Sequence, residues 1–295
     1  MLMYAIPGFL LMKSKAIPEI TPSAMSKILL FACQPFFPIF AFNEVQFSKN
    51  LLAQIAVFIV FTVVIQLLVI LLMSRIYKKR WLEVRFRIAT IASSFGNCVF
   101  FGAPVLMALL PDFPEAVVFA NAYAVGMNIL GWTVGSSVIT NDKKYISAKK
   151  VFLNPGTIGF VVALTLYVLD IKFTGSILNS IELLAKMTTP ISMMVLGMRL
   201  ATVKTKPIFT TPLFYLTLVI KQILLPVFAL VVASIIPGFS KELIATTFIL
   251  FACPIASIVL NFAEMLGDGQ EYAADLFLLG TLSSAVTMPL VLLLI

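Results

Sequence analysis

The sequence has no histidine, and only 12% of its 295 residues are charged. The first absence removes the commonest metal ligand and the commonest general base. The second leaves about half the charge of a soluble chain, which argues against a soluble globular domain. No apolar run holds a pair of carboxylates, and no glycine loop of the phosphate-cradling kind occurs, so an enzyme is disfavoured. Cysteine is scarce too: Cys33, Cys98 and Cys253 each lie inside an apolar run, without CxxC or paired spacing. Neither a disulfide framework nor a zinc site is indicated, and no metal or cofactor is expected. Nothing resembles a cleavable signal peptide with a basic start and a small-residue cleavage site. The net charge of +8 comes from basic residues placed between apolar runs, which points away from nucleic acid and toward a lipid bilayer.

Apolar runs are what the chain has in abundance. At roughly 20 residues per bilayer crossing, the length accommodates about ten spans. The first run, Met1 to Met12, is too short to cross, and the expectation is a true start upstream of the recorded one. Full-length runs follow at 23–43, 51–76, 88–110 and 115–139, then a loop at 140–150, then runs at 151–169, 176–200, 208–235, 243–266 and 272–295. A shift of about 155 residues (190 − 35) lays Pro35 on Pro190 and carries spans three, four and five onto eight, nine and ten. Five spans is an odd number, so a second copy enters the membrane from the opposite side, the inverted-repeat arrangement. Residues 1–139 are read as the first five-helix repeat, 140–150 as a cytoplasmic linker and 151–295 as the second repeat.

Loop charge sets the expected orientation. The segments around Lys13–Lys27, Arg75–Arg87, Asp142–Lys150 and Arg199–Lys206 carry +2, +5, +3 and +3, whereas the alternate loops are neutral or acidic. Basic residues stay on the cytoplasmic side, which puts both termini outside. The acidic last loop, with Glu264, Asp268, Glu271 and Asp275, is an exception, but acids contribute little to the rule.

Two runs contain features that a spanning helix does not need. Ser94 to Pro104 carries Gly96, Gly102, Pro104 and a lone amide, Asn97; Phe251 to Asn261 carries Pro254, Ser257 and Asn261. Helix breaks at membrane depth survive only inside protein or beside a wet cavity, and a matched pair of them is the best sequence pointer to a transporter's site. Asn97 is weighed against simple helix-to-helix bonding, and its place beside Gly96 in a helix that must break favours binding. Asn261 is balanced between the two roles. Lys221 is an ionisable group near the middle of span eight, a functional hypothesis by default, with snorkelling as the plainer alternative. Asn128 could line the same cavity but is more often a packing residue.

Several patches together resemble the auxin efflux carrier family of membrane transport proteins, which includes the plant PIN carriers and many bacterial permeases. They are Gly96 to Pro104, Asn154-Pro155, Pro190 through Ala201, Pro254 through Glu264, and Thr281 through Leu290. The resemblance implies an all-α membrane protein of ten transmembrane helices in two inverted five-helix repeats, as in the bile-acid symporter and NhaA-type folds. Helices four and nine would be broken and cross, holding a small organic anion there by alternating access. It also implies a scaffold of spans one, two, six and seven, with the remainder moving as an elevator. Asn97 falls on the family's asparagine of the broken fourth span, and Pro104 and Pro254 on its motif prolines. The truncated first span departs from the family pattern at the scaffold edge; the middle loop is short, without the long loop of many plant carriers, which fits a bacterial permease. The expected function is a secondary carrier for a small carboxylate in the cell's plasma (inner) membrane. The alternative is a sodium- or proton-coupled symporter or exchanger of the same fold. Partners are the organic anion and the lipid bilayer, with a homodimer left open.

Overall fold

Hydrocarbon gives backbone groups no partner, so apolar chain closes its own hydrogen bonds as helix. The computed structural model describes residues 2–202 and 211–294, and it is all-helical. Sixteen α-helices follow in order: α1 (Ala5–Lys13), α2 (Thr21–Ile28), α3 (Phe36–Asn43), α4 (Lys49–Ile76), α5 (Val84–Ala92), α6 (Ala103–Leu109), α7 (Glu115–Leu130), α8 (Ser136–Thr140), α9 (Ala148–Phe152), α10 (Pro155–Val168), α11 (Gly175–Thr202), α12 (Pro212–Val219), α13 (Leu225–Ser234), α14 (Lys241–Ala252), α15 (Ile258–Leu266) and α16 (Gln270–Leu292). Single π-turns join α7 to α8 and α12 to α13 into continuous rods, whereas the π-turn after α2 is followed by a bend at Gln34–Pro35 before α3. Among the described residues, six helical rods are long and apolar enough to cross a membrane, and a seventh if the 40° bend between Thr21–Cys33 and Phe36–Asn43 lies within one span. On α4 the exposed residues Val57, Val60, Val64, Leu68 and Leu71 recur every three or four positions, an apolar stripe suited to lipid.

The chain divides into two compact units, Met1–Leu51 with Leu153–Thr205, and Leu52–Phe152 with Lys206–Ile295. In the first, α1 lies directly on α11. A Cβ on Gly8 would collide with the Met194 carbonyl, and one on Gly197 with that of Ala5. Lipid supplies no hydrophobic drive between helices, so close backbone approach through small residues is what holds such a pair. Likewise α10 presses Gly159 onto Pro35, and Phe42 meets the Phe160 ring edge-on at 5.5 Å. Lys172 donates to the carbonyls of Phe42, Asn43 and Val45, placing a cation at the carbonyl end of α3, where the helix dipole favours one.

The second unit contains the two interrupted runs. Its core gathers Ile88, Ile91, Phe95, Ile255, Val259, Phe262 and Leu276. Phe251 packs edge-on against Tyr123, with centroids 5.0 Å apart, and Trp132 against Phe262 at the same distance.

Candidate functional site

Helix α5 ends at Ala92 and turns through Ser93–Ser94, α14 ends at Ala252, and each stretch then leaves the helical conformation before turning helical again. The two breaks pair with each other. Gly96 and Ile255 form an antiparallel bridge, with Asn97 N–H donating to Pro254 O at 2.8 Å and Ala256 N–H to Phe95 O at 3.1 Å. Backbone groups freed from the helices are thus satisfied by the opposite break, as membrane depth demands. Asn97 then turns sharply, with φ −76° and ψ 65°, and Cys98 N–H bonds back to Gly96 O at 2.8 Å. This is an inverse γ-turn. A π-turn over Cys98–Gly102 starts the second half-helix, a device frequent at functional sites.

Two side chains and one backbone carbonyl from other helices converge on Gly96. A Cβ built there would lie 3.1 Å from Lys221 Nζ, 3.2 Å from Leu250 O and 3.3 Å from Tyr123 Oη. Lys221 has no exposed surface, and its ammonium donates to Phe251 O at 2.6 Å, at the carbonyl end of α14. Tyr123 is equally buried, and its hydroxyl has no hydrogen-bond partner among the described residues. Ser94 in the first break donates to the backbone of Gln66 at 3.0 Å; the Gln66 amide is buried and unpartnered at both polar atoms. The breaks also bring two helix N-termini to the crossing, the ends that attract anions.

The sequence-derived residues divide cleanly. Asn97, Gly102, Pro254 and Lys221 meet at the crossing: a Cβ on Gly102 would sit 2.7 Å from Cys253 Sγ, and Asn97 and Pro254 share a hydrogen bond. Ser257 closes the second break, and its carbonyl accepts from Asn261 N–H at 3.1 Å. Asn261 itself is exposed, one turn into α15. Pro104 lies in α6, outside the break, directly after the π-turn that begins the half-helix. Asn128 is buried on α7, five residues past Tyr123 or about 7.5 Å along the axis. Gln66 and Tyr123 were not singled out by sequence reasoning. Gln66 carried the same signal as Asn97, a lone amide in a long apolar run, whereas nothing marked Tyr123.

Long apolar helices together with two broken ones define a multi-pass membrane protein whose crossing is polar and held by backbone. The family profile described as membrane transport protein matches residues 1–292. The chain belongs to that family, the one of the auxin efflux carriers, and is a transporter rather than an enzyme. Comparison with curated proteins finds no match.

Proposed function

We propose that this chain is a secondary carrier that moves a small organic anion, a carboxylate, across the membrane and binds it at the crossing of the two breaks. The observation that carries the reading is the composition of the crossing. Two helix N-termini, the Asn97 amide, the Tyr123 hydroxyl and the Lys221 ammonium gather there. No Asp or Glu occurs in 88–110, 116–140, 212–235 or 243–263. A carboxylate at that place would meet these donors and no acidic side chain from those stretches.

Ten spans in two inverted five-helix repeats, 1–139 and 151–295 with 140–150 as linker, form the architecture we assign. Two observations support it. Gly96 and Ile255, the partners of the bridge, are 159 positions apart (255 − 96), close to the shift of about 155 inferred from the spans. Each compact unit also draws one stretch from each proposed half. Alternating access then moves the crossing between the two sides, and both termini face outside.

The test is uptake of labelled benzoate and malate into sealed vesicles containing the purified protein, against the Asn97→Ala variant. Uptake that saturates and falls in the variant supports the reading. Equal flux in the variant removes Asn97 from the site, and no flux of either acid rejects the carboxylate assignment.

A further inference from the structure

Gln66 is a buried amide with nothing to bond. It has no exposed surface, and neither its side-chain nitrogen nor its side-chain oxygen has a partner among the described residues. The same compact unit shows what a structural glutamine looks like. Gln222, also buried, donates to Gly280 O at 2.5 Å and accepts from Ser283 Oγ at 2.9 Å and Thr287 Oγ1 at 2.8 Å. Thr62, one turn before Gln66, closes its own hydroxyl onto Ile59 O at 2.9 Å. A buried polar group left unpaired costs stability, so native chains keep few of them, and each one calls for an explanation.

The place of Gln66 supplies one. Its backbone carbonyl accepts from Ser94 Oγ at 3.0 Å, which seats it against the first break. Helix side chains lean toward the preceding turn, and there α4 meets α7: a Cβ on Gly126 would lie 2.8 Å from Thr62 Oγ1. One turn earlier on α7 is Tyr123, whose hydroxyl, beside Gly96, donates to no acceptor among the described residues. Two unpartnered polar side chains thus flank the same non-helical arm, Gln66 at Ser94 and Tyr123 at Gly96. A carboxylate can only accept hydrogen bonds. Set against Gln66, it would leave the amide carbonyl buried and unpaired. A group that satisfies both ends of the amide must donate and accept, as a hydroxyl or a carboxamide does. Ser94 and Asn97 are three positions apart, at most about 10 Å of chain, so one small molecule can reach both Gln66 and Asn97.

Resting on the anion site proposed above, we infer that Gln66 determines specificity: the cargo carries, besides its carboxylate, a neutral hydroxyl or carboxamide that pairs with the Gln66 amide. The carboxylate stays with Asn97 and the helix N-termini. Acids that lack the second group leave the amide unpaired and are discriminated against.

The experiment compares matched acids by calorimetry on the purified protein, 4-hydroxybenzoate against benzoate and malate against succinate, for the parent and for Gln66→Met. Thermal unfolding of both proteins is followed without acid. In the parent, the hydroxylated member of at least one pair should bind about tenfold or more tightly than its partner. In Gln66→Met that ratio should collapse toward one. The variant should nevertheless unfold at or above the parent's temperature, because an unpaired buried amide is replaced by an apolar chain of similar volume. An amide with a merely structural role, bonded in the resting protein, predicts the opposite. Equal affinity within both pairs overturns the inference while leaving the anion site standing. So does a ratio that survives in Gln66→Met, or a Gln66→Met that unfolds earlier than the parent or fails to fold. Binding of none of the four acids rejects the anion site itself, and the inference with it.

Discussion

The Asn97 backbone N–H donates to the Pro254 carbonyl across 2.8 Å, and Pro254, lacking an N–H, cannot return the bond. The Asn97 carbonyl is thereby left for its own helix start, where it accepts from Phe101 and Gly102 at 3.3 and 3.0 Å. Pro254 keeps the pairing one-sided, so that each break belongs half to the crossing and half to its next helix.

Pro254→Ala restores a donor at this point, and α14 gains the means to continue. The expected outcome is a clear loss of uptake rate with folding stability within about 1 kcal/mol of the parent. Thermal unfolding and vesicle uptake on the same preparation check it. Unchanged transport kinetics would reduce Pro254 to a kink.

Asn97→Ala removes a donor from the proposed anion site. Benzoate affinity should drop by about 1–3 kcal/mol, roughly tenfold or more. Asn97→Asp should do worse, because it opposes the ligand with a like charge. Calorimetry on folded protein decides; an aspartate variant that binds as tightly as the parent rules out direct contact.

Gly102→Ala drives a methyl group to within 2.7 Å of Cys253 Sγ. Overpacking of this kind costs about 1–3 kcal/mol. Trimming the neighbour should relieve it, so Gly102→Ala with Cys253→Ala should be more stable than Gly102→Ala alone. A double-mutant cycle on unfolding midpoints measures the coupling, and strict additivity would contradict the packing described.

Gly197→Ala differs, because its added methyl meets the Ala5 backbone, which cannot be trimmed. We expect a loss at or above the upper end of that range, with no rescue from side-chain truncation on α1. Parent-like stability would mean that α1 and α11 separate freely.

For orientation, a single cysteine at Lys144 in a cysteine-free variant should resist an impermeant thiol reagent added to intact cells, whereas one at Asp112 should react. Both positions are exposed on the protein, so only the membrane can protect either. The opposite pattern reverses the assigned topology.

The all-helical, multi-pass character was legible because apolar length is a property of short stretches. Asn97 and Pro254 stood out for the same reason: amides and prolines are conspicuous in hydrocarbon-compatible sequence. The exact place of the first break was less so. Glycine and proline marked the region up to Pro104, yet the chain opens at Ser93–Asn97, and Pro104 falls inside the helical stretch that restarts at Cys98, just after its π-turn. Long-range partners were beyond reach. Lys221 meets a carbonyl thirty positions away, and Tyr123 reaches Gly96 from another helix. Neither pairing leaves a trace in local composition.

The bridge at Gly96 and Ile255 is made of main-chain atoms on both sides. Side chains around it are therefore not obliged to preserve it. Variation at Gln66, Tyr123 or Ser257 leaves the junction intact, and, with the anion held at the crossing as proposed, a library varied at such positions with Gly96 and Pro254 held fixed should retune the cargo without rebuilding the carrier.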